Sequence, residues 1–598
     1  MNALLIVIDS LDYTRAQNSS VDLLPNIRRR SQNGLVCENM FSQAPFTEAA
    51  TLSLYCGQNV LDNHGYYEKY NFSKETIFEA FKHAGYETFF SDFQPECFPS
   101  SVRRGVDNLY YSRGFNNSVL WNYRFDYYQE KYLKGQFNDF DIKQIIRLLD
   151  DNFTEWKLFL NSLINKDIST SFIRKYNKSF NASEILDKVI AQENFYHLDK
   201  KKYIFDILEK KDNHPLFTIP VYKIDNYDFI YDNEELIRLY DYKLASVCKK
   251  IRINNFISNF FFNFDCFINF IKAFCSRYVL RKIETGFSRN FLVRNALFLE
   301  NIKSKYGEKC HSFKGQPSFD SHNNLFLNWI DNRSSSDPFF ACMHIDDIHY
   351  PEMFFSYDSD DIDCLNQELD LINKYLKERS FRSKGSITTD LSILYADLKC
   401  ECLFRELEKR GILDNTCVFI TSDHGFSFSG YPIRNKAVNT FYLENFKIPF
   451  FCFGNNISKK TVNDLHSSID IPSTICDIMN IHIPENFVGN SLISDFASSH
   501  DIITIEFCES GCPDIGSRKL MIGAFDKDYM VVTLCSLSDA FSEDCIVGIY
   551  NLKIDPMQKK DLKDIIDVDK ITPYLDVVRK RIKEIKASNE LILKNFFN

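Results

Sequence analysis

The sequence predicts an α/β protein whose core is interrupted by a large, mostly helical insertion and followed by a smaller C-terminal α+β portion. Residues 1–115 alternate strand-like and helix-like segments, residues 116–310 show helical periodicity with few strand-like runs, and strand–helix alternation then returns. With 598 residues, 44% hydrophobic and 25% charged, the chain is globular in composition and long enough for several units. The predicted units are residues 1–115, 116–310, 311–515 and 516–598.

The first core unit opens with ALLIVID at residues 3–9, a continuous apolar, β-branched run typical of a buried parallel strand. A helix is predicted within SKETIFEAFKHAGYETFFSDF, where Ser73 is the expected N-cap and Gly85 the expected stop before the next strand. This succession of strand, helix and strand is the βαβ pattern of an α/β sheet.

The insertion contains NNFISNFFFNFDCFINFIKAFC at residues 254–275, which holds eight phenylalanines and has basic residues on both flanks. Its interleaved asparagines exclude a membrane-spanning helix, but they leave open a core helix or a helix lying on a membrane surface. We also expect Trp121 and Trp156 of the insertion to be available for stacking on sugar rings.

The core pattern returns with PFFACMHID, a strand, and TTDLSILYADLKCECLFRELEKRG, a helix with apolar residues at helical spacing. Further core elements are the strands NTCVFITSDHG and KIPFFCFG and the short helix DIPSTICDIMNI. After residue 500 the runs DIITIEFCE and YMVVTLC predict antiparallel strands, and a charged helix closes the chain.

The net charge and the cysteine content indicate in which compartment the protein works and which partners it can bind. The net charge of −10 offers no electrostatic attraction for nucleic acid, so a nucleic-acid partner is not expected. The 18 cysteines show no CxxC spacing, as expected for reduced thiols. The first apolar run stops at Asp9 and lacks the features of a signal peptide, so we expect a cytoplasmic protein, peripheral at the inner face of the membrane if the Phe-rich segment contacts lipid.

Two predicted strands end in groups that bind divalent ions: Asp9 follows the first strand, and Asp423 and His424 follow VFITS. Ligands of open α/β sheets gather at the carboxyl ends of the strands, so these groups are expected to meet. Thr47, in APFTEAATLSLYCG, stands near a predicted helix N-terminus, where an anion is stabilised. On this stretch alone, Thr47 is either a nucleophile held near the ion or an ordinary helix cap.

These blocks, taken together and in order, resemble the sulfatase-like branch of the alkaline phosphatase superfamily. The similar segments are NALLIVIDSL, APFTEAATLSLYCG, FKHAGYET, HIDDIHYPE, ILDNTCVFITSDHG, YLENFKIPFF, DIPSTICDIMNIHIPENFVGNSL and IYNLKIDPMQKKDL. They cover roughly residues 1–115 and 337–560 and leave the insertion out. The resemblance implies a large mixed sheet sandwiched by helices, with a metal site at the carboxyl edge of its strands.

Position by position, the resemblance implies roles for eight residues. One divalent ion, Zn²⁺ or Mn²⁺ with Mg²⁺ or Ca²⁺ as alternatives, is expected on Asp9, Thr47, Asp423 and His424. Thr47 is the implied nucleophile, and His349 the implied substrate-binding or proton-transferring group. Further groups expected to bind the substrate are His344, Lys436 and Arg434.

Departures from the sulfatase pattern point to phosphorus chemistry. A sulfatase needs Cys or Ser at the nucleophile for conversion to formylglycine, and Thr47 cannot be converted. Threonine there resembles phosphoglycerol and phosphoethanolamine transferases and the nucleotide phosphodiesterases. The predicted function is therefore transfer of a phosphoglycerol-, phosphoethanolamine- or phosphoramidate-type group, from a donor that could be nucleotide-activated, onto a glycan. A phosphodiesterase or phosphatase using water, a sulfatase-like hydrolase and an inactive binding module remain alternatives.

Overall fold

The computed structural model describes most of the core and part of the insertion. The described residues are 1–19, 21–62, 73–92, 101–111, 125, 128–129, 131–135, 137–165, 181–219, 319–345, 348, 387–426, 441–455, 457–494, 500–508, 520–536 and 545–590. The Phe-rich segment 254–275 lies outside them, so its two interpretations stay as predicted.

The described part of the core contains a mixed sheet of nine strands, which confirms the large mixed sheet that the resemblance implied. Its strands are β1 (Asn2–Ile8), β2 (Leu35–Phe41), β3 (Glu87–Asp92), β4 (Asn108–Tyr111), β5 (Phe339–Ile345), β6 (Thr416–Thr421), β7 (Lys447–Phe453), β8 (Lys460–Val462) and β9 (His466–Ser467). They follow the order β4-β3-β5-β1-β6-β7-β2-β8, and β9 also pairs with β2. Only β7 runs antiparallel to its neighbours.

Strand β1 lies at the centre of this sheet, between β5 and β6, and is parallel to both. Ile8 stands opposite Ile345 of β5, and Val7 stands opposite Thr421 of β6. The three strands therefore end at the same edge, although they come from distant parts of the chain. Whatever follows them in sequence is brought together there.

Helices occur in the core, in the insertion and at the C-terminal end. They are α1 (Tyr13–Asn18), α2 (Pro25–Ser31), α3 (Thr47–Cys56), α4 (Ile77–His83), α5 (Asp139–Ile164), α6 (Ala182–Leu198), α7 (Lys200–Lys210), α8 (Pro215–Thr218), α9 (Phe319–Asn332), α10 (Ile387–Lys409), α11 (Asp470–Ile478) and α12 (Val568–Ser588). Short 3₁₀ turns lie at Lys211–Asn213, Leu413–Asn415 and Leu443–Asn445.

Both faces of the sheet are buried under helices, because successive side chains of a strand point to opposite sides. Leu5 and Val7 of β1 pack in one core with α3, α4 and α11. Leu4 and Ile6 of the same strand pack in a second core with α1, α2, α9 and α10. This explains why β1 reads as one continuous apolar run.

The helix predicted after Ser73 begins later than expected. Thr76 is its N-cap: the Thr76 hydroxyl accepts from Glu79 N–H, and the Glu79 carboxylate accepts from Thr76 N–H. This reciprocal capping box satisfies two backbone N–H donors. Ser73 lies three residues before Thr76, too far from the first turn of the helix to cap it. The prediction of Ser73 as the cap was therefore wrong, whereas Gly85 does end this helix region with φ of +85°.

The described part of the insertion is helical, in agreement with its periodicity. Helices α5 to α8 share a hydrophobic cluster that is separate from the two cores of the sheet. Arg103 links this unit to the core, with Nη2 3.4 Å from Glu155 Oε1. Trp156 is only 3% exposed and belongs to the cluster, so its predicted role in stacking on sugars was wrong. Trp121 lies outside the described residues.

The C-terminal portion contains the predicted antiparallel strands and the final helix. Strands β10 (Ile503–Cys508), β11 (Leu520–Phe525), β12 (Tyr529–Cys535) and β13 (Ile546–Asn551) pair in sequence order. The predicted boundary at 515/516 falls between β10 and β11, which pair with each other, so β10 lies in this sheet and not in the core sheet. Among the helices that the structure describes, none has the length and apolar character needed to cross a membrane.

Candidate metal centre

Ionisable side chains from three adjacent strands meet at the carboxyl edge of the core sheet. Asp9 follows β1 directly, Asp423 and His424 follow β6, and His344 lies one residue before the end of β5. Each of these side chains belongs to a residue that is at most 2% exposed. The parallel register of β5, β1 and β6 therefore produces the convergence that the sequence predicted for Asp9, Asp423 and His424.

The chain leaves β1 through a strained turn at Ser10, whose φ of +60° is seldom adopted by residues other than glycine. In this conformation Ser10 N–H donates to Asp423 Oδ1 over 3.2 Å, and the Ser10 hydroxyl donates to Asp9 Oδ1 over 2.7 Å. Leu11 N–H donates to Ser422 Oγ over 3.1 Å. The turn thus links the residues that follow β1 to those that follow β6, and it orients both carboxylates. Strained backbone of this kind is typical of functional sites.

His424 is held so that one ring nitrogen faces the carboxylates. Its Nδ1 lies 2.7 Å from the carbonyl oxygen of Gly425. A carbonyl oxygen only accepts, so Nδ1 carries a proton, and in the neutral imidazole Nε2 presents a lone pair. Gly425 is required here because a Cβ would lie 2.0 Å from the carbonyl oxygen of Glu444.

The spacing of the donor atoms fits a shared cation better than direct hydrogen bonds. His424 Nε2 lies 3.5 Å from Asp9 Oδ1 and 3.6 Å from Asp423 Oδ2. Two ligands that each bind one ion at about 2.0–2.2 Å stand about 3 to 4 Å apart for coordination angles of about 90 to 130°. Asp423 Oδ2 is buried and has no hydrogen-bond partner among the described residues. A divalent cation would satisfy this oxygen, so the residues present fit such an ion.

Thr47 is the first residue of α3 and not its cap. The N-cap is Phe46, in an extended conformation and with no capping side chain. The Thr47 hydroxyl donates instead to Asp9 Oδ2 over 3.2 Å, and Thr47 Oγ1 lies 3.5 Å from His424 Nε2. The interpretation of Thr47 as an ordinary cap was therefore wrong. Its oxygen stands at a helix N-terminus, where the dipole favours negative charge.

The structure places His344, which the sequence analysis grouped with substrate binding, among the candidate metal ligands. Its Nε2 lies 3.8 Å from Asp423 Oδ2, and one donor atom each of Asp9, His344 and Asp423 all lie within 4.8 Å of one another. Burial lowers the pKa of His344 to about 4, against the opposing attraction of Asp423. The imidazole is therefore neutral near pH 7, which is the form that binds metals.

Other predicted groups lie outside the described residues: His349, Lys436 and Arg434. Their roles remain predictions. Two residues whose hydroxyls orient the site, Ser10 and Ser422, were not predicted from the sequence. Their position next to acidic candidate ligands was the only signal that could have singled them out.

The class of protein follows from this arrangement. Buried carboxylates and imidazoles lie at the carboxyl edge of a mixed sheet, with a threonine hydroxyl at a helix N-terminus beside them, and this arrangement fits a sulfatase-like, metal-dependent enzyme. The family model described as Sulfatase matches residues 1–192 and 160–481. The chain belongs to this family.

Curated relatives share short stretches with this chain. An extracellular sulfatase SULF-1 homolog from Drosophila melanogaster is 29% identical over 98 residues, which are 16% of this chain and 9% of that protein. A 2,3-bisphosphoglycerate-independent phosphoglycerate mutase from Antithamnion sp. is 37% identical over 81 residues, 13% of this chain and 16% of that one. The chain thus aligns with only a small part of each of these two relatives.

Solved structures with a similar course of the chain have low identity. A protein in the alkaline phosphatase superfamily from Vibrio parahaemolyticus gives a TM-score of 0.47 at 11% identity, covering 100% of this chain and 88% of that one. A putative sulfatase from Bacteroides thetaiotaomicron gives 0.47 at 12% identity, covering 98% and 94%. A phosphonate monoester hydrolase of Agrobacterium radiobacter gives 0.44 at 13% identity, covering 98% and 96%. Similarity at this level says nothing about the substrate.

Proposed function

We propose that this protein is a phospho-group transferase that works through a covalent phospho-threonine at Thr47. The observation that carries the proposal is the position of the Thr47 hydroxyl, 3.2 Å from Asp9 Oδ2 at the first residue of a helix, where it faces the candidate ligands instead of capping the helix. The transferred group is of the phosphoglycerol, phosphoethanolamine or phosphoramidate type. The acceptor is a glycan, such as an intermediate of a capsule or another cell-surface polysaccharide.

The choice of phosphorus over sulfur rests on the nucleophile. Thr47 carries neither the thiol nor the primary alcohol from which formylglycine is made, but its hydroxyl can attack phosphorus directly. Sulfate-ester hydrolysis stays as the competing function because curated relatives of this chain are named sulfatases.

The residues that would hold the divalent ion are Asp9, Thr47, Asp423 and His424. Zn²⁺ or Mn²⁺ suits a set of carboxylate and imidazole donors, with Mg²⁺ and Ca²⁺ as less suited alternatives. When bound, the ion offsets negative charge on the phosphoryl oxygens and makes the hydroxyl more acidic.

The chain's own groups then account for the two steps. In the first, Thr47 Oγ1 bonds to phosphorus while its proton passes to Asp9 Oδ2. The bond to the donor's leaving oxygen, on the opposite side of phosphorus, breaks, and this oxygen takes a proton from His349 in its proposed role. In the second, the acceptor oxygen bonds to phosphorus and the bond to Thr47 Oγ1 breaks. The acceptor gives its proton to His349, and Asp9 Oδ2 returns the proton that it holds to Thr47 Oγ1. The N-terminus of α3 stabilises the anionic oxygen in both steps.

The donor, the acceptor and the location of the protein are part of the same proposal. A nucleotide-activated donor and a glycan intermediate fit a cytoplasmic enzyme, peripheral at the inner face of the membrane if the Phe-rich segment 254–275 contacts lipid. His349 is proposed to assist proton transfer or to bind the donor, and Lys436 or Arg434 to bind its anionic group. Nucleic acid is not an expected partner, since the net charge is −10.

Mass spectrometry of the intact protein tests the covalent step. After incubation with CDP-linked phospho-alcohols, we expect an adduct of the donor's phospho group localised on Thr47. The variant Thr47→Ala should form no adduct and lose turnover, whereas Thr51→Ala, one turn further along the same helix, should keep both. Wild-type turnover in folded Thr47→Ala would exclude the proposed nucleophile.

The substrate class is tested by comparing two aryl esters. We expect slow cleavage of an aryl phosphodiester, which serves as a surrogate donor with water as the acceptor, and no detectable hydrolysis of an aryl sulfate. Sulfate release faster than phosphodiester cleavage would establish the sulfatase alternative. A purified protein that binds no divalent metal and cleaves neither ester would instead support the inactive binding module.

A further inference from the structure

Behind the candidate metal centre, helix α3 supplies a second polar group that faces His344. Tyr55 lies in the last turn of α3, is fully buried, and packs its ring against those of Phe78 and Phe90, at centroid distances of 5.7 and 5.9 Å. Its hydroxyl oxygen lies 3.4 Å from His344 Nδ1. The packing of the ring leaves the hydroxyl little freedom to move away from the imidazole.

The opposite nitrogen of His344 faces the candidate ligands. His344 Nε2 is 3.8 Å from Asp423 Oδ2, which is too long for a hydrogen bond and compatible with two atoms that share one cation. Asp423 Oδ2 has no hydrogen-bond partner in the described part of the chain. A proton on Nδ1, donated to the Tyr55 oxygen, would leave the Nε2 lone pair directed at the site.

A second buried residue contacts the same hydroxyl. Cys342, two residues before His344 in β5, has Sγ 3.7 Å from the Tyr55 oxygen. The thiol donates to this oxygen, so Tyr55 is held from β5 at two points. The phenol therefore links the helix that begins at Thr47 to the strand that carries His344.

We propose that His344 is an additional ligand of the metal centre and that Tyr55 is the residue that positions it. This inference rests on the metal site of the proposed function and extends it. The centre would then offer two imidazole nitrogens beside two carboxylates and the Thr47 hydroxyl. Such a set favours Zn²⁺, Mn²⁺ or Co²⁺ over Mg²⁺ and Ca²⁺, which prefer oxygen donors alone.

Metal affinity of the apo protein, measured by competition with a chromophoric chelator, tests the inference without reference to turnover. Loss of an outer hydrogen bond to a ligating histidine typically costs about 10–100-fold in metal affinity, so we expect Tyr55→Phe to weaken Zn²⁺ binding by about that factor. His344→Gln should weaken it at least as much and change the absorption spectrum of the Co²⁺-loaded protein. Mg²⁺ affinity should change less than Zn²⁺ affinity in both variants.

Tyr196→Phe is the matched control, because its buried hydroxyl donates to the carbonyl oxygen of Ile146 in the insertion. It should bind Zn²⁺ as the wild type does. If His344→Gln unfolds, Tyr55→Phe, which removes one oxygen atom, still decides the question, and circular dichroism verifies its fold.

The outcomes separate this inference from the proposed function. Wild-type Zn²⁺ affinity in folded Tyr55→Phe and His344→Gln, together with loss of Zn²⁺ in Asp423→Asn, would overturn the role of His344 and leave the rest of the site intact. A wild-type protein that binds no Zn²⁺, Mn²⁺ or Co²⁺ would overturn the metal centre itself.

Discussion

At the scale of single residues, the two carboxylate oxygens of Asp423 have different roles in the site. Asp423 Oδ1 accepts from Ser10 N–H and from its neighbour His424 N–H, over 3.2 and 2.8 Å. Asp423 Oδ2 faces His424 Nε2 and His344 Nε2. One oxygen therefore builds the turn, and the other is available to a cation. A carboxylate, and not an amide, is needed at this position only for the second task.

Asp423→Asn should consequently separate folding from metal binding. The amide oxygen can keep both backbone hydrogen bonds, whereas an NH₂ group in place of Oδ2 cannot bind a cation. We expect a folded variant that has lost its metal and its activity together, and the same loss in His424→Ala. Metal analysis by mass spectrometry and a thermal melt provide the measurements.

Asp414→Asn is the control for this pair, since Asp414 is an exposed residue just before β6 and should have no effect on metal content. Full metal stoichiometry in Asp423→Asn or His424→Ala would remove that residue from the ligand set.

At the scale of elements, the C-terminal helix α12 is fastened to the segment that follows α3. Arg581 Nε and Nη2 donate to the two oxygens of Glu506 in β10, over 2.7 and 2.9 Å, and Nη2 also donates to Asp62. Glu506 accepts in addition from Leu61 N–H. Glu506 and Arg581 are 0% and 4% exposed. If one partner were removed, water could therefore not solvate the charge of the other.

Breaking this buried pair should cost far more than breaking a surface pair. Arg581→Met leaves the Glu506 carboxylate buried and uncompensated, so we expect a loss of about 3–5 kcal/mol in the free energy of unfolding, measured by urea denaturation. Arg579→Ala, which removes an exposed ion pair with Asp576 on the same helix, should cost about 0.5 kcal/mol or less. Equal costs for the two substitutions would show that the buried pair does not secure α12.

Helix α11 begins at a second buried charge, Asp470, which two histidines flank. His466 Nδ1 and His500 Nε2 lie 3.1 and 3.0 Å from Asp470 Oδ2. Burial opposes the charge of Asp470, yet the hydrogen bonds from both histidines bring the pKa of this carboxyl down to about 2. Burial likewise opposes protonation of His500, but the hydrogen bond and the attraction of Asp470 raise the pKa of its imidazole above the usual value.

The raised pKa of His500 predicts how stability depends on pH. A group whose pKa is higher in the folded state stabilises the protein fully below its unfolded pKa of about 6.5 and loses that contribution as the pH rises through the folded value. We expect His500→Gln to destabilise the protein most near pH 6 and progressively less above it. Free energies of unfolding measured between pH 5.5 and 8.5, in parallel with the exposed-histidine variant His83→Gln, would reveal this slope. A difference between wild type and His500→Gln that does not vary with pH would refute the ionic role of His500.

At the scale of the whole molecule, the insertion is material added to a core that already holds the nucleophile and the candidate ligands. In its described part, α5 to α8 bury their own apolar cluster, which contains Trp156. Phe195 of α6 is different, because 58% of its surface is exposed. We propose that acceptor selection belongs to such exposed aromatic groups of the insertion, whereas the buried ones stabilise it.

Phe195→Ala should therefore lower transfer to a glycan acceptor while leaving hydrolysis of the donor nearly unchanged. The physical reason is that an exposed ring can stack on a sugar but contributes little to the fold. Both rates can be measured with one labelled donor, in the presence and absence of acceptor. Trp156→Ala serves as the contrast and should cost about 3–5 kcal/mol of stability, since a buried ring leaves a cavity. An equal loss of both reactions in folded Phe195→Ala would show that this surface is scaffold.

The sequence by itself determined the elements that local chemistry dictates. Apolar, β-branched runs ending in Asp9 and in Asp423-His424 identified two strands and the candidate ligands that follow them, and helical periodicity identified the insertion. Proline followed by helix-forming residues placed Thr47 near a helix N-terminus. These features depend on neighbours within a few residues, which a sequence displays directly.

Only the tertiary structure decided which distant groups meet. Whether Thr47 caps its helix or faces Asp9 depends on how α3 packs against the sheet, and the same packing brings Tyr55 to His344. The place of His344 among the carboxylates follows from the pairing of β5 with β1, which joins segments more than three hundred residues apart. From the sequence alone, Trp156 was expected to be available for stacking, but the packing of the helices buries it. Periodicity fixes which face of an element is apolar, but the partner of that face is set by the packing of the whole chain.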